Sequence, residues 1–259
     1  MQTVRHHLLA GSFFMAILVP AAAAAESVEE IEILTVPTPA EFFSALDKIA
    51  KPDWASFYRE PIPTTYADRP LAAVNLGTLV ADGYVAVEAQ DGQQVKNTGK
   101  DIISLARALG VGEHVLARGK SISDFADRND WSALKEELEA TTNEVRLAMA
   151  AQRDEGLAAL ISAGAWIRAL QVGSRAAELS GEAKADETLS QAELVAYLRK
   201  ELEKLPEKSR QAPAVERVRG VLSDLEGRMK AGPGENDAPG RSAAIGKIAA
   251  GYVAAAAAK

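Results

Sequence analysis

NLGTLVADGYVAVEAQDG, residues 75–92, supports two incompatible readings, and the choice between them decides the fold. Asp82-Gly83 lies between apolar runs, which is a strong short-range signal for a β-hairpin. The same residues, rich in Ala, Leu and Val, also suit one long buried helix. On a helical wheel at about 100° per residue, Asn75, Thr78 and Asp82 fall within an arc of roughly 60°. Val74, Leu76, Leu79, Val80, Tyr84, Val85 and Val87 cover the rest of the wheel, as in a helix buried nearly all round. A strand would send Asn75 and Thr78 to opposite faces. Ala72, Ala73, Ala81, Ala86 and Ala89 also favour helix over strand. Gly77 and Gly83 each cost about 1 kcal/mol relative to Ala in a helix interior, and on the helical reading they let a neighbouring helix come close. The stretch therefore reads as a helix over 69–89 with one polar stripe. The Asp-Gly turn signal keeps its force at Asp91-Gly92, between two helices.

Helix punctuation recurs on both sides. Thr38-Pro39-Ala40-Glu41 combines an N-cap, proline at the first helical position and Glu at the third, and predicts a helix to about Ala50. Four prolines in residues 51–70 bar a regular element there, while Trp54, Phe57, Tyr58 and Tyr66 favour a loop packed on the domain over a flexible linker. Asp91 and Gln94 fit a capping box for a helix to Leu109, ended by Gly110 and Gly112. A shorter helix is expected over 113–127. Asp130 caps a helix to about 153 carrying Leu134, Leu138, Thr141, Val145 and Ala148 on one face. Another apolar helix covers 155–179. Residues 181–187 read as a loop, Ser190 to Glu193 as a capping box, and Val215, Val218, Leu222 and Leu225 as one face of a later helix. Residues 231–240 read as a Gly/Pro loop before an Ala-rich terminal helix. With no repeat of fixed period, the expectation is an all-α, irregular multi-helix bundle of seven to nine helices, with its core in helices 69–89, 92–109, 130–153 and 155–179.

Residues 1–25 read as a cleaved signal peptide. Arg5 precedes an apolar run over Leu8 to Val19, and Ala23 and Ala25 suit cleavage before Glu26. That run is shorter than the ~20 residues needed to span a bilayer. Residues 26–259 would then form a single domain, periplasmic or secreted, with no stable membrane insertion. The whole chain carries 29 Lys plus Arg against 36 Asp plus Glu. An excess of acid on that scale argues against nucleic acid or an anionic membrane surface as partner. With no cysteine, the chain has no disulfide, no thiol nucleophile and no Cys-ligated metal.

The order Asn75-Leu76-Gly77, Ala81-Asp82, Tyr84-Val85, then ALGVGE at 108–113, then LAALISAGAWI at 157–167 with Gln171 following, resembles exported, all-helical bacterial proteins without assigned biochemistry. The resemblance spans roughly residues 70–180 and implies a helical fold and export; it supplies no activity. Arg168 stands where those proteins carry an acidic residue.

Asn75, Thr78 and Asp82 form the candidate polar stripe or ligand-binding site. A carboxylate among Val and Leu is costly unless paired, and Arg168 lies in the apolar stripe Leu157, Ile161, Gly164 of another helix. An Asp82–Arg168 pair joining the two helices is therefore expected, with Asn75 and Thr78 satisfying the remaining polar groups. Trp166, beside Gly164 and Ala165, reads as a ring packed in a close helix crossing or as a stacking platform for a ligand. The Asp124, Asp127, Asn129, Asp130 cluster lacks the ligand spacing and central glycine of a calcium loop. His114 is the one histidine outside residues 1–25, too few for a multi-histidine metal site. No nucleophile elbow, Walker loop or Rossmann fingerprint occurs, so neither catalytic residue, metal nor cofactor is expected. The function expected is a non-catalytic scaffold or binding protein of the envelope, engaging another protein or a small apolar ligand. The alternatives are a small-ligand or lipid-binding protein with a pocket near Asp82, or a hydrolase working through carboxylates alone.

Overall fold

The stretch 75–92 is helical. A computed structural model describes residues 38–231 and 240–258, and the expected signal segment 1–25, with most of the 231–240 loop, lies outside them. Among the described residues the fold is an all-α multi-helix bundle with no strand. Helices α1 (Pro39–Ala50), α2 (Arg69–Glu88), α3 (Gly92–Ala108), α4 (Gly112–Asp127), α5 (Trp131–Ala151) and α6 (Glu155–Ser180) form the first part. The single turn α7 (Ala183–Thr188), then α8 (Ala192–Glu203), the single turn α9 (Glu207–Arg210), α10 (Pro213–Lys230) and α11 (Gly240–Ala257) complete it. Nine of these run for 12 residues or more, the upper end of the range expected from sequence. The short helix α7 stands where residues 181–187 were expected to form a loop. The described residues belong to one compact unit.

Two helices form the axis of the bundle. In α2, every residue from Ala72 to Ala81 and from Gly83 to Val87 is buried. α6 crosses it at a pair of glycines. A β-carbon on Gly77 would lie 2.0 Å from the Ile161 carbonyl oxygen, and one on Gly164 would lie 2.1 Å from that of Val74. Neither site has room for a methyl group, so the backbones touch. Gly83 differs: a β-carbon there would make only ordinary contacts, the nearest with the Leu138 methyl at 3.8 Å. Of the two α2 glycines expected to admit a neighbour, Gly77 does so.

The proline-rich segment is packed. Trp54–Phe57 forms a 3-10 turn, and the Trp54 indole N–H donates to Asp47 Oδ1 at 2.8 Å. Edge-to-face ring contacts run from Trp166 through Phe42, Phe43 and Trp54 to Phe57, with centroids 5.5–5.9 Å apart. Such pairs add about 0.5–1.5 kcal/mol each beyond area burial. They fix the segment that follows, residues 58–60, over the middle of α2.

Side-chain caps open four of the helices. Thr38 and Glu41 complete a reciprocal capping box. Asp68, Asp91 and Asp130 each accept a backbone N–H of the helix they open. Two expected boxes are corrected. The Gln94 side chain turns to Thr98 Oγ1 at 3.5 Å rather than back to Asp91, leaving half a box. Gln191, not Ser190, stands at the N-cap of α8, and it gives no side-chain cap. The Ser190 hydroxyl instead accepts from Arg241 Nη1 of α11.

Candidate functional site

Asp82 is the hub of the polar groups inside the bundle. It sits on the one turn of α2 where the buried run is interrupted, facing both α6 and the segment after the 3-10 turn. Arg168 Nε donates to its Oδ1 at 2.8 Å. Arg59 Nε donates to its Oδ2 at 2.7 Å, and Arg59 Nη2 lies 2.6 Å from the same oxygen. Arg59 Nη2 also donates to Thr78 Oγ1 at 2.8 Å, while the Thr78 hydroxyl donates to the Asn75 carbonyl. The remaining donors of Arg168 reach Gln171 Oε1 at 2.9 Å and the Phe57 carbonyl at 2.7 Å. Side-chain exposures of 5 % for Arg168, 14 % for Asp82 and 18 % for Arg59 place the group away from bulk water.

The expected Asp82–Arg168 contact is thus present in the structure, and a second cation completes it. Arg59 had no signal in the sequence tying it to α2, because an arginine in a proline-rich loop has no periodicity that fixes its partner. Asn75 departs from expectation. It shares the wheel arc of Asp82 but lies seven residues away, roughly 10 Å along the axis at 1.5 Å per residue. Its amide donates to Leu71 O at 3.0 Å and Ala256 O at 2.8 Å, so it ties α2 to α11 instead of serving Asp82. The stripe therefore divides into two structural contacts. Guanidinium groups engage both oxygens of Asp82, Arg168 on Oδ1 and Arg59 on Oδ2. Trp166 is buried with its ring against Phe42.

Two cavities flank α2. The first, about 340 Å³, lies between α2, α3, α4 and α5, and Ile161 of α6 also borders it. Leu76, Val80, Ile102, Val115, Ile122, Leu138 and Val145 supply its walls. Two of the hydroxyls that border it are turned back on their own helix, Thr141 donating to Glu137 O and Thr142 to Leu138 O, and Ser123 of α4 brings a third to the border. The second, about 350 Å³, has mixed walls, with Tyr58, Arg59, Asp82, Lys100 and Asp101 beside Ile62 and Leu79. Burial raises the Asp101 carboxyl above its ordinary range, against the opposing charge of Lys100. Burial and then the Asp91 charge push the Tyr58 phenol up to about 12; its hydroxyl donates to Asp91 at 3.3 Å. Asp82 borders this second recess, whereas Asn75, Thr78, Trp166 and Arg168 border neither cavity.

Charged contacts hold the helices around the apolar cavity. Arg118 of α4 bonds Glu144 at 2.5 Å and Glu137 at 3.2 Å, both on α5. His114 Nδ1 lies 3.5 Å from the same Glu144. The Arg118 guanidinium, ahead of His114, keeps the Glu144 carboxyl below its ordinary range. Lys96 of α3 pairs with Asp127 at the end of α4. No family model, curated protein or solved structure matches the chain.

Proposed function

We propose that this chain is an exported, non-catalytic helical binding protein that holds a small apolar ligand between α2, α3, α4 and α5. The observation that carries the reading is the first cavity: about 340 Å³ walled by aliphatic side chains from five helices. Sites for small molecules are concave, mostly apolar and roughly 300–1,000 Å³ in volume. Filling this one with a side chain would have been simple, since a residue larger than Gly83 has space there. The polar cluster on the opposite side of α2 serves as a clasp, joining α2, α6 and the segment carrying Arg59.

Export rests on residues 1–25, and its test is the mass of the chain recovered from the cell envelope or medium, expected to begin at Glu26. Binding is tested by native mass spectrometry and organic extraction of the purified chain. A co-purifying small apolar molecule is expected from the natural sequence. Gly83→Leu, which projects a side chain into the cavity, is expected to lose it while keeping the helical circular dichroism. Retention of the same molecule by a folded Gly83→Leu chain would remove the cavity from the account.

A further inference from the structure

We propose that the occupant of the apolar cavity is a single-tailed amphiphile with an anionic head, its tail between α2 and α5 and its head against Lys100. The inference rests on the binding role proposed above and names the ligand class. The first ground is charge. The charged side chains bordering the cavity are Lys96 and Lys100, and no carboxylate is among its lining residues. The chain as a whole has 36 acidic and 29 basic residues, so the cavity border reverses the prevailing sign.

The second ground is the difference between the two lysines. The Lys96 ammonium is engaged by Asp127. The Lys100 ammonium makes no ion pair or hydrogen bond among the described residues. Its charge acts on Asp101, the next residue, and Lys100 and Asp101 both also border the second cavity. Lys100 and Gln93 are the exposed members of the lining, so the cavity meets solvent along this side of α3. A cation at that border would pair with an anion without drawing it into the bundle.

The third ground is what the walls exclude. Val80, Ile102, Val115 and Ile122 offer nothing to a charge, the Thr141 and Thr142 hydroxyls are spent on backbone carbonyls, and a lone half-buried hydroxyl, Ser123, would not replace the hydration of a charge. A charged head inside would lose its hydration without replacement, at a cost of several kcal/mol. An unbranched tail suits the same walls. Head outside and tail inside is the arrangement these residues favour. Carboxylate and phosphate share the required chemistry.

Displacement of N-phenyl-1-naphthylamine, a neutral fluorescent probe, from the full chain tests the inference. Dodecanoate, dodecyl phosphate and dodecan-1-ol are each titrated against the natural sequence and Lys100→Gln. The expected result is that Lys100→Gln weakens dodecanoate or dodecyl phosphate about threefold to fivefold, the range of an exposed charge pair. The neutral alcohol is expected to be unchanged. The anion more affected by the substitution identifies the head. The same weakening should follow from raising salt, through screening. If all three compounds displace the probe and Lys100→Gln alters none of them, the anionic head is wrong and the apolar cavity stands. If the probe itself does not bind the natural sequence, the binding role fails with it.

Discussion

Asp82 shows how a buried charge organises its surroundings. One carboxylate lies between two guanidinium groups and is mostly removed from water. Removing the partner of a buried charge costs about 3–5 kcal/mol, because the remaining charge stays desolvated. Asp82→Asn is expected to lower stability by about 3 kcal/mol in urea unfolding; a change under about 1 kcal/mol would mean the clasp does not hold α2 to α6. Glu226 gives a prediction with a pH sign. Lys230, and then Arg199, hold its carboxyl below the ordinary value of 4.5. A carboxyl depressed in the folded state stabilises the chain above the unfolded value and loses that contribution as pH falls through the folded one. Glu226→Gln is therefore expected to be less stable than the natural sequence at pH 7, with the gap closing below about pH 4. A gap that persists in acid would contradict the pairing. At this scale the sequence shows Asp82 and Arg168 because each interrupts an apolar stripe, and two lone opposite charges in buried helices need each other. It does not show Arg59, which belongs to a loop, or the destination of the Asn75 amide, which depends on where a helix 181 residues later comes to lie.

The helices themselves are largely legible, since their caps and apolar spacing are local properties. α2 follows from the wheel, against a hairpin signal that considers Asp82-Gly83 alone. What spacing does not reveal is which glycine touches a neighbour. Gly77 and Gly83 look alike in sequence, yet only Gly77 meets backbone, and the difference lies in where α6 crosses. The two make a matched test. Gly77→Ala would drive its methyl group into the Ile161 carbonyl and is expected to destabilise by more than about 3 kcal/mol, or to prevent folding, as overpacking does when the backbone must move. Gly83→Ala meets only ordinary contacts and is expected to gain up to about 1 kcal/mol from helix propensity. Urea midpoints of the two variants should move in opposite directions. Equal shifts would contradict the crossing at Gly77. The single turn over Ala183–Thr188 was hidden because six residues with one buried position, Ala185, carry no readable period.

At the scale of the molecule, the sequence yields an all-α bundle and little about its interior. A cavity is a shortfall in packing shared among helices distant in sequence, and no single helix records it. Leu76, Val115, Leu138 and Val145 each read as ordinary core residues; only their mutual positions leave about 340 Å³ between them. The proposed role depends on that volume more than on the polar stripe, which the structure accounts for as contacts between elements. Fluorescence titration of the full chain with N-phenyl-1-naphthylamine, in the natural sequence and in Gly83→Leu, tests it most directly. Saturable binding at one probe per chain is expected, abolished by Gly83→Leu in a chain that remains folded. Absence of saturable binding, or equal binding by the two folded chains, would contradict it.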